Sequence, residues 1–298
     1  MVKNPPVIGR LAILGIGLIG SSVSRAARQY GAAGEVVAYD PDAGRLATAL
    51  ELSAIDRAAT SIADAVADAD MVLICAPVGA MGGIAAAAAP AMRPGAILSD
   101  VGSTKTSVVA DVAPHVPAGI HFVPAHPVAG TEKSGPEHGF ATLFDGRWCI
   151  LTPPSIDGAD AGAVDLCTRF WRAMGSNVDV MTPEHHDTVL AITSHLPHLI
   201  SYTIVGTVMD LEEHHHWEVF KYAAGGFRDF SRLAGSDPVM WRDVFLNNRD
   251  AVLEMLGRFT EDLQALQRAI RWGEADKLEA LFTRTRDARR AIIEARQA

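Results

Sequence analysis

The sequence predicts an α/β domain built on a doubly wound parallel sheet, followed by an all-helical domain. Short apolar runs bounded by Gly, Pro or Asp punctuate the first half, with helical segments separating the first four. These runs are apolar throughout instead of alternating, which is the pattern of strands covered on both faces. Beyond residue 182 the rhythm changes, and Val189, Ile192, Leu196, Leu199 and Ile200 recur at helical spacing.

The strands expected in chain order are 10–15, 35–40, 70–77, 95–100, 120–126 and 147–153, with another at 177–181 after a helix around Ala161–Met174. Alternating strand and helix makes repeated βαβ units, whose right-handed crossovers give a parallel sheet. The alanine run Ala85–Ala89 ends at Pro90 and reads as a helix. In the second half Thr182 is an N-cap before Pro183 at the first helical position, and Asp237 before Pro238 repeats the signal. A last helix is expected from Glu274 after Gly273. The domain boundary falls at residue 182, giving a dinucleotide-binding domain over 1–182 and a helical substrate and dimerisation domain over 183–298.

Composition excludes several function classes. The formal charge is −9, from 26 basic and 35 acidic residues, and the basic residues do not cluster, so neither nucleic acid nor an anionic membrane is an expected partner. The uncharged run between Arg10 and Arg25 is interrupted by glycines and falls short of the roughly 18 residues that a membrane span needs. The start, MVKNPPVIGR, has no apolar core of a signal peptide. Cys75, Cys149 and Cys167 lie far apart without CxxC spacing, as expected of reduced thiols in a cytoplasmic protein.

Gly15-Ile16-Gly17-Leu18-Ile19-Gly20 follows the first strand directly and opens a helix. Gly15 permits the tight turn, Gly17 lets backbone approach a pyrophosphate, and Gly20 allows helix and strand to pack closely. The helix N-terminus offers free N–H groups and the positive end of its dipole to the phosphates. Asp40 ends the second strand 20 residues past Gly20, where a carboxylate accepts both ribose hydroxyls and repels a 2′-phosphate. NAD is therefore the expected cofactor, with Arg45 the one nearby cation that speaks for NADP. Ala76 and Pro77, in CAPVGA after the third strand, are expected to lie along it.

Ligands of an open α/β sheet gather at the carboxyl ends of its strands. DVGSTK (100–105) and AHPVAGTEKSG (125–135) both arrive there and are expected to face the nicotinamide. Ser103 brings a hydroxyl, Lys105 a cation, and His126 a ring that accepts a proton near neutral pH. Pro127 excludes His126 from the α region and holds it extended. A hydride leaves a carbon bearing OH only as the hydroxyl proton is drawn off, so a fixed base beside the nicotinamide answers a chemical need.

In TSHLPHLISY, His195 and His198 are three apart and share a face on a continuous helix, while Pro197 between them predicts a kink. No acidic or sulfur partner is placed to complete a metal site with them, so no metal is expected. Asp229 and Arg232 are also three apart, and a carboxylate there would orient the guanidinium for bidentate grip of a substrate carboxylate. Arg228 reads as a surface ion pair and the 214–216 histidine run as a solvated helix face.

With these pieces in order, the chain resembles the prephenate/arogenate dehydrogenase family of tyrosine biosynthesis. The resemblance rests on GIGLIGSS, DVGSTK, HPVAGTEKSG, SHLPH and GFRDFSRLAGSDPVMWRDVF, and it runs from about Arg10 to about residue 290. It implies a Rossmann domain followed by a helical dimerisation domain, a homodimer, and oxidative decarboxylation of prephenate with NAD to 4-hydroxyphenylpyruvate. It also implies that His126 binds the ring C4 hydroxyl and removes its proton, while Ser103 bonds the same hydroxyl and orients that histidine. Arg232 would grip a substrate carboxylate, and His198 would line the pocket with Thr131 and Trp241. Glu132 and His195 would form a gating ion pair. Arogenate, or both acids, is the close alternative. A different hydroxy-acid dehydrogenase or a non-catalytic NAD(H)-binding protein is the distant one.

Overall fold

The computed structural model describes residues 5–155, 158, 160–210, 218, 221–222 and 224–294; the 214–216 histidines lie outside them. Two compact units divide the chain, Met1–Arg249 and Asp250–Ala298.

The first unit is organised by a six-stranded parallel sheet. Its strands are β1 (Ile8–Leu14), β2 (Ala33–Tyr39), β3 (Arg57–Ala58), β4 (Met71–Ile74), β5 (Ile97–Asp100) and β6 (His121–Phe122), in the spatial order β3-β2-β1-β4-β5-β6. Strand order reverses between β1 and β4, which opens a crevice at their carboxyl ends. Leu11, Ile13, Val36, Ala38, Met71 and Leu73 pack on one face of the sheet, while Ala12, Leu14, Val37, Val72 and Ile74 pack on the other. Helices cover both faces, and this two-sided burial explains the unbroken apolar runs.

The connecting helices are α1 (Leu18–Gln29), α2 (Ala43–Glu51), α3 (Ile62–Val66), α4 (Met81–Ala88) and α5 (Thr106–Val112). The expected strand at 120–126 is two strands in two sheets. Val123 N–H still bonds Leu98 (3.0 Å), but Pro124 has no N–H to give the ladder, and its carbonyl accepts from Thr152 (2.9 Å) instead. The chain thus leaves the parallel sheet and enters a second, three-stranded one as β7 (Ala125–Pro127), beside β8 (Trp148–Leu151) and β9 (Asn177–Val180). β7 runs antiparallel to β8, with His126 opposite Ile150. The two-residue β3 escaped the sequence reading because it is too short to carry a pattern.

α6 (Ala161–Ala173) precedes β9, and then the helical region begins. Thr182 caps α7 (Pro183–Leu190) by accepting from His185 N–H, and Asp237 caps α10 (Pro238–Asn247) by accepting from Met240 N–H. Between α7 and α8 (Leu196–Met209) the helix widens into a π turn, Ala191–His195, closed by Leu196 N–H on the Ala191 carbonyl. Pro197 follows in the first turn of α8, so the expected disturbance lies just upstream of it, where the wider turn receives a ring that has no N–H. The span Pro183–Met209 is long and apolar enough to cross a membrane by length and composition alone. It nevertheless carries His186, Asp187 and His195, all buried among protein partners. α9 (Gly225–Ser231) leads into a tight turn at Arg232–Gly235.

In the second unit, α11 (Arg249–Arg271) and α12 (Ala275–Glu294) are joined by a turn in which Gly273 takes φ 67°. Leu263 and Ile270 on α11, Phe282 on α12 and Trp272 in the turn between them are exposed.

Candidate active site

The glycine turn lies at the switch in strand order. Gly15 has φ 103°, and a Cβ on it would collide with the Cys75 carbonyl at the end of β4. A Cβ on Gly20 would collide with the Gly15 carbonyl, so α1 is seated directly against the turn. At Gly17 a Cβ would meet nothing within 4 Å, and no side chain caps the helix that starts at Leu18 and Ile19. Open space over uncapped helix N–H groups is what a pyrophosphate requires, so the residues present fit a dinucleotide. Ala76 and Pro77 follow β4 beside this turn, half-buried and exposed respectively.

Asp40 is already engaged. One carboxylate oxygen accepts from Ile16 N–H (2.9 Å), inside the glycine turn, and the other from Asp42 N–H (2.9 Å). It shapes the turn as well as standing where a ribose would lie.

His126 occupies β7 directly beside the end of β5, because Asp100 accepts from Ala125 N–H (3.3 Å). It is 8% exposed, and its Nε2 makes no hydrogen bond among the described residues. Its Nδ1 lies 2.8 Å from Nε2 of His186, whose own Nδ1 lies 2.8 Å from Asp187 Oδ1. Asp187 in turn accepts from Lys105 N–H and Thr106 N–H (both 2.8 Å), so α7 is pinned to the start of α5. Burial holds His126 well below the ordinary imidazole range, with the nearby His186, Lys105 and His195 adding to the effect. Burial lowers His186 too, against the opposing pull of Asp187. For Asp187, burial works upward, but the hydrogen bonds from His186 and the two amides outweigh it and keep the group below the usual carboxylate range.

Three expectations are corrected here. Lys105 does not face the site: it is fully buried, donating from Nζ to Asp100 and to the Ala125 carbonyl (2.7 Å), behind the strand that carries His126. Among the described residues the contact to the His126 ring comes from His186, and the Ser103 backbone lies against His195. Glu132 does not pair with His195. That imidazole is fully buried, pushed down to about 4 chiefly by burial, and its Nδ1 sits 3.0 Å from Asn248 Nδ2. Glu132 meets Arg232 (4.0 Å) instead, and Arg232 is held there rather than by Asp229.

The second wall comes from the helical region. His198 lies flat on Trp241, with ring centroids 3.6 Å apart and planes 21° from parallel, and His195 approaches the same indole edge-on at 6.0 Å. The His198 ring donates to the Ser194 carbonyl (2.9 Å) in the widened turn. Trp241 is buried, and its indole N–H has no hydrogen-bond partner among the described residues. Ser201 bonds the Phe230 carbonyl (2.9 Å) and Tyr202 the Ser236 carbonyl (2.8 Å), which ties α8 to the segment on both sides of Arg232. Thr131 is exposed, and its hydroxyl caps a turn by accepting from Lys133 N–H (3.2 Å). Among the described residues no group of three His, Cys, Asp or Glu side chains is arranged to hold a metal, and the three cysteines are free.

Comparison with known families decides the assignment. Residues 23–180 match the prephenate dehydrogenase nucleotide-binding domain, and residues 182–284 match the prephenate dehydrogenase dimerization domain. The chain belongs to the prephenate dehydrogenase family. Among relatives, the cyclohexadienyl dehydrogenase of Zymomonas mobilis is 42% identical, over 96% of this chain and 97% of that protein. The prephenate dehydrogenase of Bacillus subtilis is 31% identical, over 94% of this chain and 75% of that protein. Among solved structures, prephenate dehydrogenase from Aquifex aeolicus in complex with hydroxyphenyl propionate and NAD+ superposes with a TM-score of 0.88 at 33% identity, covering 95% of this chain and 98% of that one. Synechocystis arogenate dehydrogenase shares the fold (TM-score 0.79, 24% identity, covering 94% and 98%).

Like other members of the prephenate dehydrogenase family, the protein is a dehydrogenase with a nucleotide-binding domain. Two of its site residues went unread in the sequence, His186 and Asp187. MTPEHHD was visible as a helix start, and the signal that could have marked them is a histidine and a carboxylate side by side in the first turns of that helix.

Proposed function

We propose that the protein is an NAD-dependent dehydrogenase that converts prephenate to 4-hydroxyphenylpyruvate with loss of carbon dioxide, in tyrosine biosynthesis, as a cytoplasmic homodimer. The observation that carries this reading is His126, a buried imidazole beside the carboxyl ends of the sheet, anchored through Nδ1 and with Nε2 unbonded among the described residues. Prephenate bears a tertiary ring carboxylate and a ring hydroxyl. Removing hydride from the carbinol carbon builds positive charge that is relieved as the hydroxyl proton leaves. When bound, the nicotinamide ring accepts that hydride.

Each part of the chain then has a task. The glycine turn and the start of α1 hold the pyrophosphate, and Asp40 takes the ribose hydroxyls, favouring NAD over NADP. His126 draws off the hydroxyl proton, and Ser103 contributes a second hydrogen bond to the same oxygen. Arg232 anchors a substrate carboxylate, with the buried Trp241 N–H as a further donor. His198 and Thr131 line the pocket, Glu132 stands at its entrance beside Arg232, and the buried His195 backs Trp241 from behind. The domain boundary at 182 and the homodimer are supported by the separate dimerization-domain match over 182–284 and by the exposed apolar side chains of α11 and α12.

A second reading is activity on both prephenate and arogenate, which differ in a side-chain ketone or amine. It is favoured by the 42% identical relative, which bears the broader name cyclohexadienyl dehydrogenase. Mixing the protein with NAD or NADP and each acid, and following NADH or NADPH absorbance, separates these outcomes. No reduction with either acid rejects the proposal.

A further inference from the structure

We propose that His186 and Asp187 form a hydrogen-bonded chain behind His126 that fixes it in the tautomer able to act as a base. His186 and Asp187 are thus positioning residues of the active site. The inference rests on the functional reading above and adds to it the origin of the base's competence.

Each neutral imidazole has one N–H and one lone pair. Asp187 is ionised and accepts only; its Oδ1 lies 2.8 Å from His186 Nδ1, so the proton of His186 sits on that nitrogen. His186 Nε2 then carries a lone pair. It lies 2.8 Å from His126 Nδ1, so the proton of His126 must sit on Nδ1. The remaining nitrogen of His126, Nε2, is left with the lone pair and without a protein partner among the described residues. Reversing the chain would set the lone pair of His186 Nδ1 against a carboxylate, a repulsive contact in a buried place.

The direction of the chain is itself held from behind. Asp187 accepts from the Lys105 and Thr106 amides in addition to His186, and its backbone carbonyl accepts from Asn248 Nδ2 (2.8 Å). The carboxylate therefore cannot turn away without stranding two amide N–H groups. Free neutral imidazole favours the opposite tautomer, with the proton on Nε2, so His126 by itself would present the wrong face.

In the reaction the substrate O–H bond breaks and its proton bonds to the Nε2 lone pair. The O–H electron pair becomes the second bond of the carbonyl as hydride passes to the nicotinamide. When the ring carboxylate leaves as carbon dioxide, its bonding pair moves through the ring to that oxygen, which takes the proton back from Nε2. His126 is positively charged only between these two transfers. During that interval its Nδ1–H is hydrogen-bonded to His186, itself backed by the Asp187 carboxylate, which is where the charge needs support.

The test uses the full chain labelled with 15N-histidine. Ring-nitrogen NMR at a pH where the imidazoles are neutral should show protonated Nδ1 and bare Nε2 at both His126 and His186. In His186→Phe, which removes the acceptor, the His126 proton should move to Nε2, and kcat should fall roughly 10²- to 10⁴-fold with the KM for NAD unchanged. His186→Gln restores an acceptor oxygen and should recover most of that loss; a merely structural role would leave both variants equally impaired. Finding His126 protonated on Nε2 in the wild type overturns the proposal even where His186→Phe does not fold. If the wild type turns over neither acid yet shows the Nδ1–H tautomer at both rings, the functional reading fails while the chain stands. An active wild type with the other tautomer has the reverse meaning.

Discussion

Lys105 and Asp100 form an ion pair from which water is wholly excluded, directly beneath the strand that carries His126. Burial lowers the Lys105 ammonium from its usual value, and Asp100 pulls the other way. Removing one member leaves the other charged and uncompensated, which costs about 3–5 kcal/mol. Lys105→Met should therefore lower the midpoint of urea unfolding sharply, and a midpoint within error of wild type would show that the pair adds nothing to stability.

His126→Asn should keep NAD affinity, measured by fluorescence titration, and reduce kcat by roughly two to four orders of magnitude, the range for general acid–base catalysis. Full turnover in this variant would remove the ring from the chemistry.

Arg232 and Glu132 are both largely exposed, so their 4.0 Å pairing adds little to stability. Arg232→Gln should leave the melting temperature unchanged and raise the substrate KM roughly 10- to 100-fold, through loss of a charge-assisted bond to a carboxylate. A loss confined to kcat contradicts the anchoring role.

Asp40→Ala should weaken NAD binding and narrow the preference over NADP. It should also destabilise the fold by about 1–3 kcal/mol, because the Ile16 N–H loses its acceptor. Asp40→Asn keeps an acceptor for that amide, so it separates the structural loss from the change in cofactor choice.

Stability should fall as pH drops from about 6.5 towards 4. His195 takes a proton near 6.5 when unfolded but only at about 4 when folded, so the unfolded state binds more protons across that window and stability rises with pH. The penalty approaches ~3 kcal/mol at the lower end. His126, His186 and His198 are lowered too and act in the same direction. The depressed carboxyls Asp64, Asp160 and Asp187 contribute only below their ordinary range, so the window above pH 4.5 isolates the imidazoles. In His195→Asn the slope in urea-derived stability between pH 6.5 and 5 should shrink; an unaltered slope would assign the effect elsewhere.

Local signals carried much of this fold. Strands covered on both faces announce themselves as apolar runs, the caps Thr182 and Asp237 mark helix starts one residue before a proline, and the glycine turn is legible because each glycine answers a steric need. What stayed hidden was decided by contacts distant in sequence. Lys105 looks like a free cation until Asp100 and the Ala125 carbonyl enclose it. His186 becomes part of the site only because α7 packs against α5, 81 to 82 residues away along the chain. The exchange of Glu132's partner from His195 to Arg232 depends on how deeply the widened helix turn sinks that histidine, which spacing alone does not report.

That widened turn sets an angular phase. On a regular helix, side chains nine positions apart emerge on opposite sides, since each residue advances about 100°. One extra residue absorbed between 191 and 195 reduces the offset between His186 and His195 to about 80°. Both then reach the same interior flank, where Asn248 bridges the Asp187 carbonyl and the His195 ring. Regularising that turn at full length would carry everything after it round by about 100°, swinging imidazole 195 off its amide partner and dragging imidazole 198 off the indole it lies against, whereas excising Ile192 would straighten the rod and leave the 80° phase as it is.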